Sequence, residues 1–135
     1  MTLRPPGWRA LAVVLVGAGA LHLARPAVYE PLIPRQLGSP LPWVYASGLA
    51  EIACGAGLLA RRTRPAAALA SAALFVAVFP GNLQMAVSAL RSDRASTLTQ
   101  VLTVARLPLQ VPLVLWALSV RRAARPAVDP ARAGS

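Results

Sequence analysis

Four apolar runs, Trp8 to Ala24, Leu41 to Ala60, Ala66 to Leu90 and Leu98 to Val120, alternate along the chain with short segments rich in Arg and Pro. Crossing the roughly 30 Å hydrocarbon core of a bilayer takes about 20 helical residues, so each run has the length of one span. The pattern predicts an all-α, integral membrane four-helix bundle. The first run starts after Pro5-Pro6-Gly7 and stops at Arg25-Pro26, because proline offers no helical N–H and pushes its predecessor out of the helical region. Between the first two runs, prolines at 26, 31, 34, 40 and 42 are interleaved with Val28, Tyr29, Leu32, Ile33 and Leu37. This Pro-rich outer loop is too apolar to float free and is expected on the bilayer interface or over the mouth of the bundle, with Tyr29 and Trp43 at headgroup depth. Pro80-Gly81 interrupts the third run. It is expected to free a backbone carbonyl near Val76 and kink the helix, a break that lipid tolerates only where protein or water satisfies the backbone.

Composition supports one small membrane domain. The 135 residues are 56% hydrophobic and only 13% charged, with a formal net charge of +10. All 14 basic residues are arginine, and all but Arg106, which lies inside the fourth run, fall outside or at the ends of the apolar runs rather than on one solvent face. That placement argues against nucleic-acid binding and instead carries topology. Arg4, Arg9, Arg61, Arg62, Arg64, Arg121, Arg122, Arg125 and Arg132 fall on one side, against Arg25, Arg35, Arg91 and Arg94 on the other. The positive-inside rule then puts both termini in the cytoplasm of a multi-pass cell-membrane protein. Residues 1–120 form the four-span domain, and 121–135 a flexible basic cytoplasmic tail beside the anionic inner leaflet. Cys54 is the only cysteine, which excludes an internal disulfide or a Cys-x-x-Cys pair, and His22 is the only histidine.

A few polar residues inside the apolar runs then become the informative ones. Counting about 1.5 Å per residue places Glu51 roughly 15 Å, Arg106 roughly 12 Å and His22 roughly 3 Å below the outer boundary, with Asn82 also in the outer half. Helical phase gathers Gln100, Thr103, Arg106 and Gln110 on one face of the fourth run, and Ser47, Gly48, Glu51, Cys54 and Gly55 on one face of the second. Opposite charges on two spans are housed most cheaply by meeting, so Glu51 and Arg106 are expected to pair, with Gln100 or Gln110 filling the remaining hydrogen-bond sites. Such a pair either fixes helix register or lines a polar pocket. His22 reads either as an interfacial side chain bonded to a carbonyl or as a proton-exchanging member of that pocket. His22, Glu51 and Cys54 lack a fourth ligand for a metal, and no metal is expected.

The combination of His22, Pro26, Tyr29 and Pro34, then Ser47-Gly48-Leu49-Ala50-Glu51-Ile52, Gly55 to Leu59, Arg64, and Phe79-Pro80-Gly81-Asn82 with Met85 resembles the DoxX-like family of small four-helix membrane proteins. The similarity covers roughly His22 to Gln110. Gly81 departs from the alanine usual after that proline. The resemblance implies the fold and, more loosely, a membrane subunit of a quinone-linked oxidoreductase system, whether or not this chain is itself an enzyme. His22, Glu51, Asn82 and Arg106 are the positions that inherit a pocket or proton-relay role, with Tyr29, Gln84, Gln100 and Gln110 as further ligand-binding candidates. In this reading a quinone is the cofactor, its carbonyls receiving hydrogen bonds from Arg106, Asn82, Gln84 or His22, and a redox protein is the partner beside the lipid bilayer. A homo-oligomer stays open. A non-enzymatic scaffold or chaperone-like interaction protein and a small transporter are the alternatives.

Overall fold

The computed structural model describes residues 6–33 and 35–126; the sequence readings for Arg4, Pro34 and the tail from 127 onward lie outside them. Five α-helices form four rods: α1 (Trp8–Ala24), α2 (Pro40–Leu59), α3 (Arg64–Ala77) continuing after a break at Val78 into α4 (Phe79–Arg91), and α5 (Thr97–Ala124). Three short 3-10 turns, Pro26–Val28, Glu30–Leu32 and Arg35–Leu37, occupy the loop between α1 and α2. There is no strand among the described residues. The all-α architecture therefore holds. The rods Arg64–Arg91 and Thr97–Ala124 are each 28 residues long and apolar enough to cross a membrane, while α1 is apolar but shorter at 17 residues.

Prolines set most of the boundaries. Pro26, Pro40, Pro65 and Pro80 each sit at the first or second position of a helix, where the missing N–H has no partner to lose. α5 tolerates Pro108 and Pro112 in its interior and runs to Ala124, so residues 121–124, assigned to the tail from sequence, continue the helix. Its start is capped by Ser96, whose Oγ accepts from the Thr99 amide at 3.1 Å.

Neighbouring rods run antiparallel. α1 and α2 approach closely enough that a Cβ on Gly19 would lie 2.5 Å from the Gly48 carbonyl oxygen, and one on Gly55 would lie 2.6 Å from Val16 Cγ2. Only glycine permits that approach. The buried core is built largely from alanine (Ala12, Ala67, Ala68, Ala72, Ala117) around Leu11, Leu15, Leu58 and Phe75. Larger apolar side chains such as Val13, Leu49, Val76, Leu102 and Leu109 face outward.

At the end holding the α2–α3 turn, the Arg64 side chain donates to the Leu58 carbonyl at 2.7 Å and the Leu59 carbonyl at 3.3 Å, which ties off the α2 terminus. Its guanidinium also lies 3.8 Å from the centroid of Trp8. Nearby, Trp116 Nε1 donates to the Pro6 carbonyl, tying α5 to the start of α1. The polar residues singled out in the sequence lie toward the opposite end of the rods, around a cavity.

Candidate functional site

A cavity of about 430 Å3 lies in that other half, beneath the loop. His22 from α1, Ser47 and Glu51 from α2, Asn82 from α4 and Arg106 from α5 all line it, among apolar neighbours including Val44 and Leu74. Tyr29, Ile33 and Leu37 close it from the loop side, so the loop caps the bundle mouth. The cap is held in place: Trp43 Nε1 donates to the Leu37 carbonyl at 3.1 Å, and Gln84 Nε2 donates to the Pro31 carbonyl at 3.4 Å.

The pairing expected between Glu51 and Arg106 is replaced by a different one. Glu51 Oε2 lies 3.0 Å from His22 Nδ1, and Arg106 enters the same cavity without an ion pair to a described residue. The reason is geometric. Helical side chains lean toward the N-terminus of their own helix, so on antiparallel rods His22 and Glu51 lean toward one another, and the Gly19–Gly48 contact removes the bulk between them. His22 Nδ1 is also 2.8 Å from the Ala18 carbonyl. A carbonyl only accepts, so the single Nδ1 hydrogen points there. Glu51 Oε2 is thus close to the ring yet buried without a hydrogen bond of good geometry. Both side chains are about 13% exposed.

Tyr29 stacks on the His22 ring, with centroids 3.6 Å apart and planes 19° from parallel. Burial first, and the Glu51 charge second, push the Tyr29 phenol above its ordinary range, while Arg106 acts in the opposite direction. The phenol is therefore held protonated, with a hydrogen to donate.

The two glutamines offered as partners of the charge pair serve the backbone instead. Gln110 Nε2 donates to the Phe75 carbonyl, in the last turn of α3, one residue from the carbonyl near Val76 that the proline was expected to free. Gln100 Nε2 donates to the Ala89 carbonyl at 3.1 Å, near the end of α4. Gln84 is spent on the loop and points to an exposed position. Asn82 Nδ2 donates to Gln110 Oε1 at 3.1 Å. Asn82 and Gln84, expected to donate to a ligand, each spend an N–H within the protein.

Sequence reasoning missed the His22–Glu51 approach, the role of Tyr29 as a stacking partner and the Asn82–Gln110–Phe75 relay. The available signal was a glycine three residues before each member of the first pair, Gly19 before His22 and Gly48 before Glu51. No group of three or more His, Cys, Asp and Glu side chains able to hold a metal occurs among the described residues. Cys54 is a half-buried free thiol packed against the core.

Neither the curated proteins nor the solved structures contain a match to this chain. The model of a family described as a domain of unknown function (DUF8561) matches residues 11–121, which include most of every rod and every residue lining this cavity, and the chain belongs to that family.

Proposed function

We propose that this chain is a four-span cell-membrane protein, with both termini cytoplasmic, whose outer-half cavity holds the head of a quinone-like amphiphile as a membrane subunit of a redox system. The observation that carries the reading is the convergence of His22, Glu51, Asn82 and Arg106 on one cavity inside helices whose outward surfaces are apolar. Leu21, Leu49, Leu69, Leu90 and Leu115, spread over all four rods, are exposed while alanines fill the interior. That inversion suits a hydrocarbon solvent, where close packing of small residues replaces the hydrophobic force. The arginine distribution supports the orientation, and the DoxX-like resemblance supports the redox setting.

A cavity of this size is in the range for small-molecule sites, which are mostly apolar with a few placed polar groups. Arg106 and the Tyr29 phenol supply donors for a carbonyl oxygen, and the surrounding apolar surface receives the tail. The quinone would supply electron-carrying chemistry; the chain's own residues bind and orient it. Electron transfer in this reading would require the bound quinone itself or a partner chain.

Calorimetric titration of the purified full chain in detergent with a decyl-tailed benzoquinone tests the proposal. Saturable binding weakened about tenfold or more by Arg106→Leu, the value of one or two charge-assisted hydrogen bonds, is expected. Absence of saturable binding, or unchanged affinity in folded Arg106→Leu and Glu51→Gln proteins, would leave the scaffold alternative in its place.

A further inference from the structure

The orientation of one buried amide follows from its hydrogen-bond partners, and it bears on what the cavity prefers. The Phe75 carbonyl can only accept, so the Gln110 atom that meets it is the amide nitrogen. The other terminal atom of Gln110 is then its carbonyl oxygen, and the Asn82 atom 3.1 Å from it is in turn the NH2 group. Asn82 is thereby fixed, with Oδ1 and the second hydrogen of Nδ2 left over. That oxygen receives no hydrogen bond from a described residue. The side chain is only 9% exposed and lines the cavity. An amide that is free to rotate could exchange the places of its oxygen and nitrogen; this one holds an acceptor oxygen in a fixed place, beside its second N–H.

Glu51 adds a second acceptor to the same cavity, with Oε2 buried and lacking a well-aligned donor. Arg106 and Tyr29, by contrast, are donors. The polar lining is therefore two-sided, and a head group bearing carbonyl oxygens alone would leave the Asn82 acceptor unmet. A buried acceptor without a donor is costly, whereas a hydroxyl donates to it and still accepts from Arg106 or Tyr29.

We propose that Asn82, held in one orientation by the Gln110–Phe75 relay, makes the cavity selective for the hydroxyl-bearing, reduced form of a quinone-type head group over its carbonyl form. This inference rests on the reading that the cavity holds such a head. Asn82 is the specificity-determining residue, and Gln110 is a positioning residue that acts through it.

The test is an anaerobic titration of the full chain with three probes of one shape: a decyl-tailed benzoquinone, its hydroquinone, and the dimethyl ether of that hydroquinone, which has no O–H. The hydroquinone is expected to bind about tenfold tighter than either of the others, the discrimination that one unmet hydrogen bond produces. Asn82→Leu is expected to bring the quinone-to-hydroquinone ratio close to one. Equal or tighter binding of the quinone to the wild-type protein overturns the inference while leaving the binding reading intact, and needs no variant to fold. Persistence of the preference in Asn82→Leu would transfer it to another acceptor and overturn the role of Asn82. If none of the probes binds, the parent reading falls and takes this inference with it.

Discussion

Replacing Gln110 with Leu removes two links between α5 and the broken rod at once. The Phe75 carbonyl loses its side-chain donor, and Asn82 Nδ2 loses its acceptor. Interhelical hydrogen bonds in membrane proteins average about 0.6 kcal/mol and reach about 1.7, so two of them amount to about 1–3 kcal/mol. The position is buried, with Gln110 7% exposed. Asn82→Leu removes only the shared bond and is expected to cost about 0.6–1.7 kcal/mol. In the double variant that shared bond is lost once rather than twice, and the combined cost falls below the sum of the single ones by about the same amount. Reversible unfolding in mixed micelles by sodium dodecyl sulfate, followed by circular dichroism, measures all four corners of the cycle. Additive costs, or a Gln110→Leu protein within about 0.5 kcal/mol of wild type, would show that the relay contributes little to the bundle and that Asn82 is not fixed by it.

Other perturbations probe the remaining contacts. Gly19→Ala drives a methyl group to 2.5 Å from a backbone oxygen and is expected to destabilise the bundle by about 1–3 kcal/mol as overpacking does. Gly17→Ala, which meets nothing within 4 Å, is expected to be neutral or stabilising by up to about 1 kcal/mol through helix propensity; equal thermal midpoints for the two variants would count against the close α1–α2 approach. A cycle between His22→Asn and Glu51→Gln is expected to show coupling above about 0.5 kcal/mol, and one between Glu51→Gln and Arg106→Gln to be close to additive. The reverse ranking would restore the α2–α5 charge pair. Arg64→Lys keeps the charge but loses the forked donation to Leu58 and Leu59 and the planar stacking on Trp8; a loss of about 1–2 kcal/mol in chemical unfolding is expected, and an unchanged midpoint would show that this end is not held through Arg64.

The four rods were legible because proline punctuates them and because long apolar runs leave few other readings. The break in the third rod was legible from Pro80-Gly81 for the same reason, although the carbonyl it exposes to a side chain belongs to Phe75. His22, Glu51, Asn82 and Arg106 stood out as polar residues in apolar surroundings, and the structure places all four on the cavity. Their partners were not legible. Helical phase assigns a residue to a face, yet Glu51 could meet either α1 or α5 from the face it occupies. The choice is made by the depth to which α1 and α2 sink together at Gly19 and Gly48, a tertiary distance that no periodicity encodes. Gln100 and Gln110 misled for a related reason. A buried glutamine near charged residues suggests a ligand to the charge, but the cost of an unsatisfied helix carbonyl at Phe75 or Ala89 recruits it first.

The central claim, an outer-half cavity that receives an amphiphile head between the rods, is tested most directly by photolabelling the full chain in liposomes with an azide-bearing benzoquinone amphiphile and mapping the adducts by mass spectrometry. Labels concentrated on Tyr29, Trp43, the Pro80–Asn82 segment and the turn of α5 around Arg106, and displaced by excess unlabelled hydroquinone, are the predicted result. Adducts scattered over outward-facing residues such as Val13, Leu49 and Leu102, and insensitive to competitor, would contradict it.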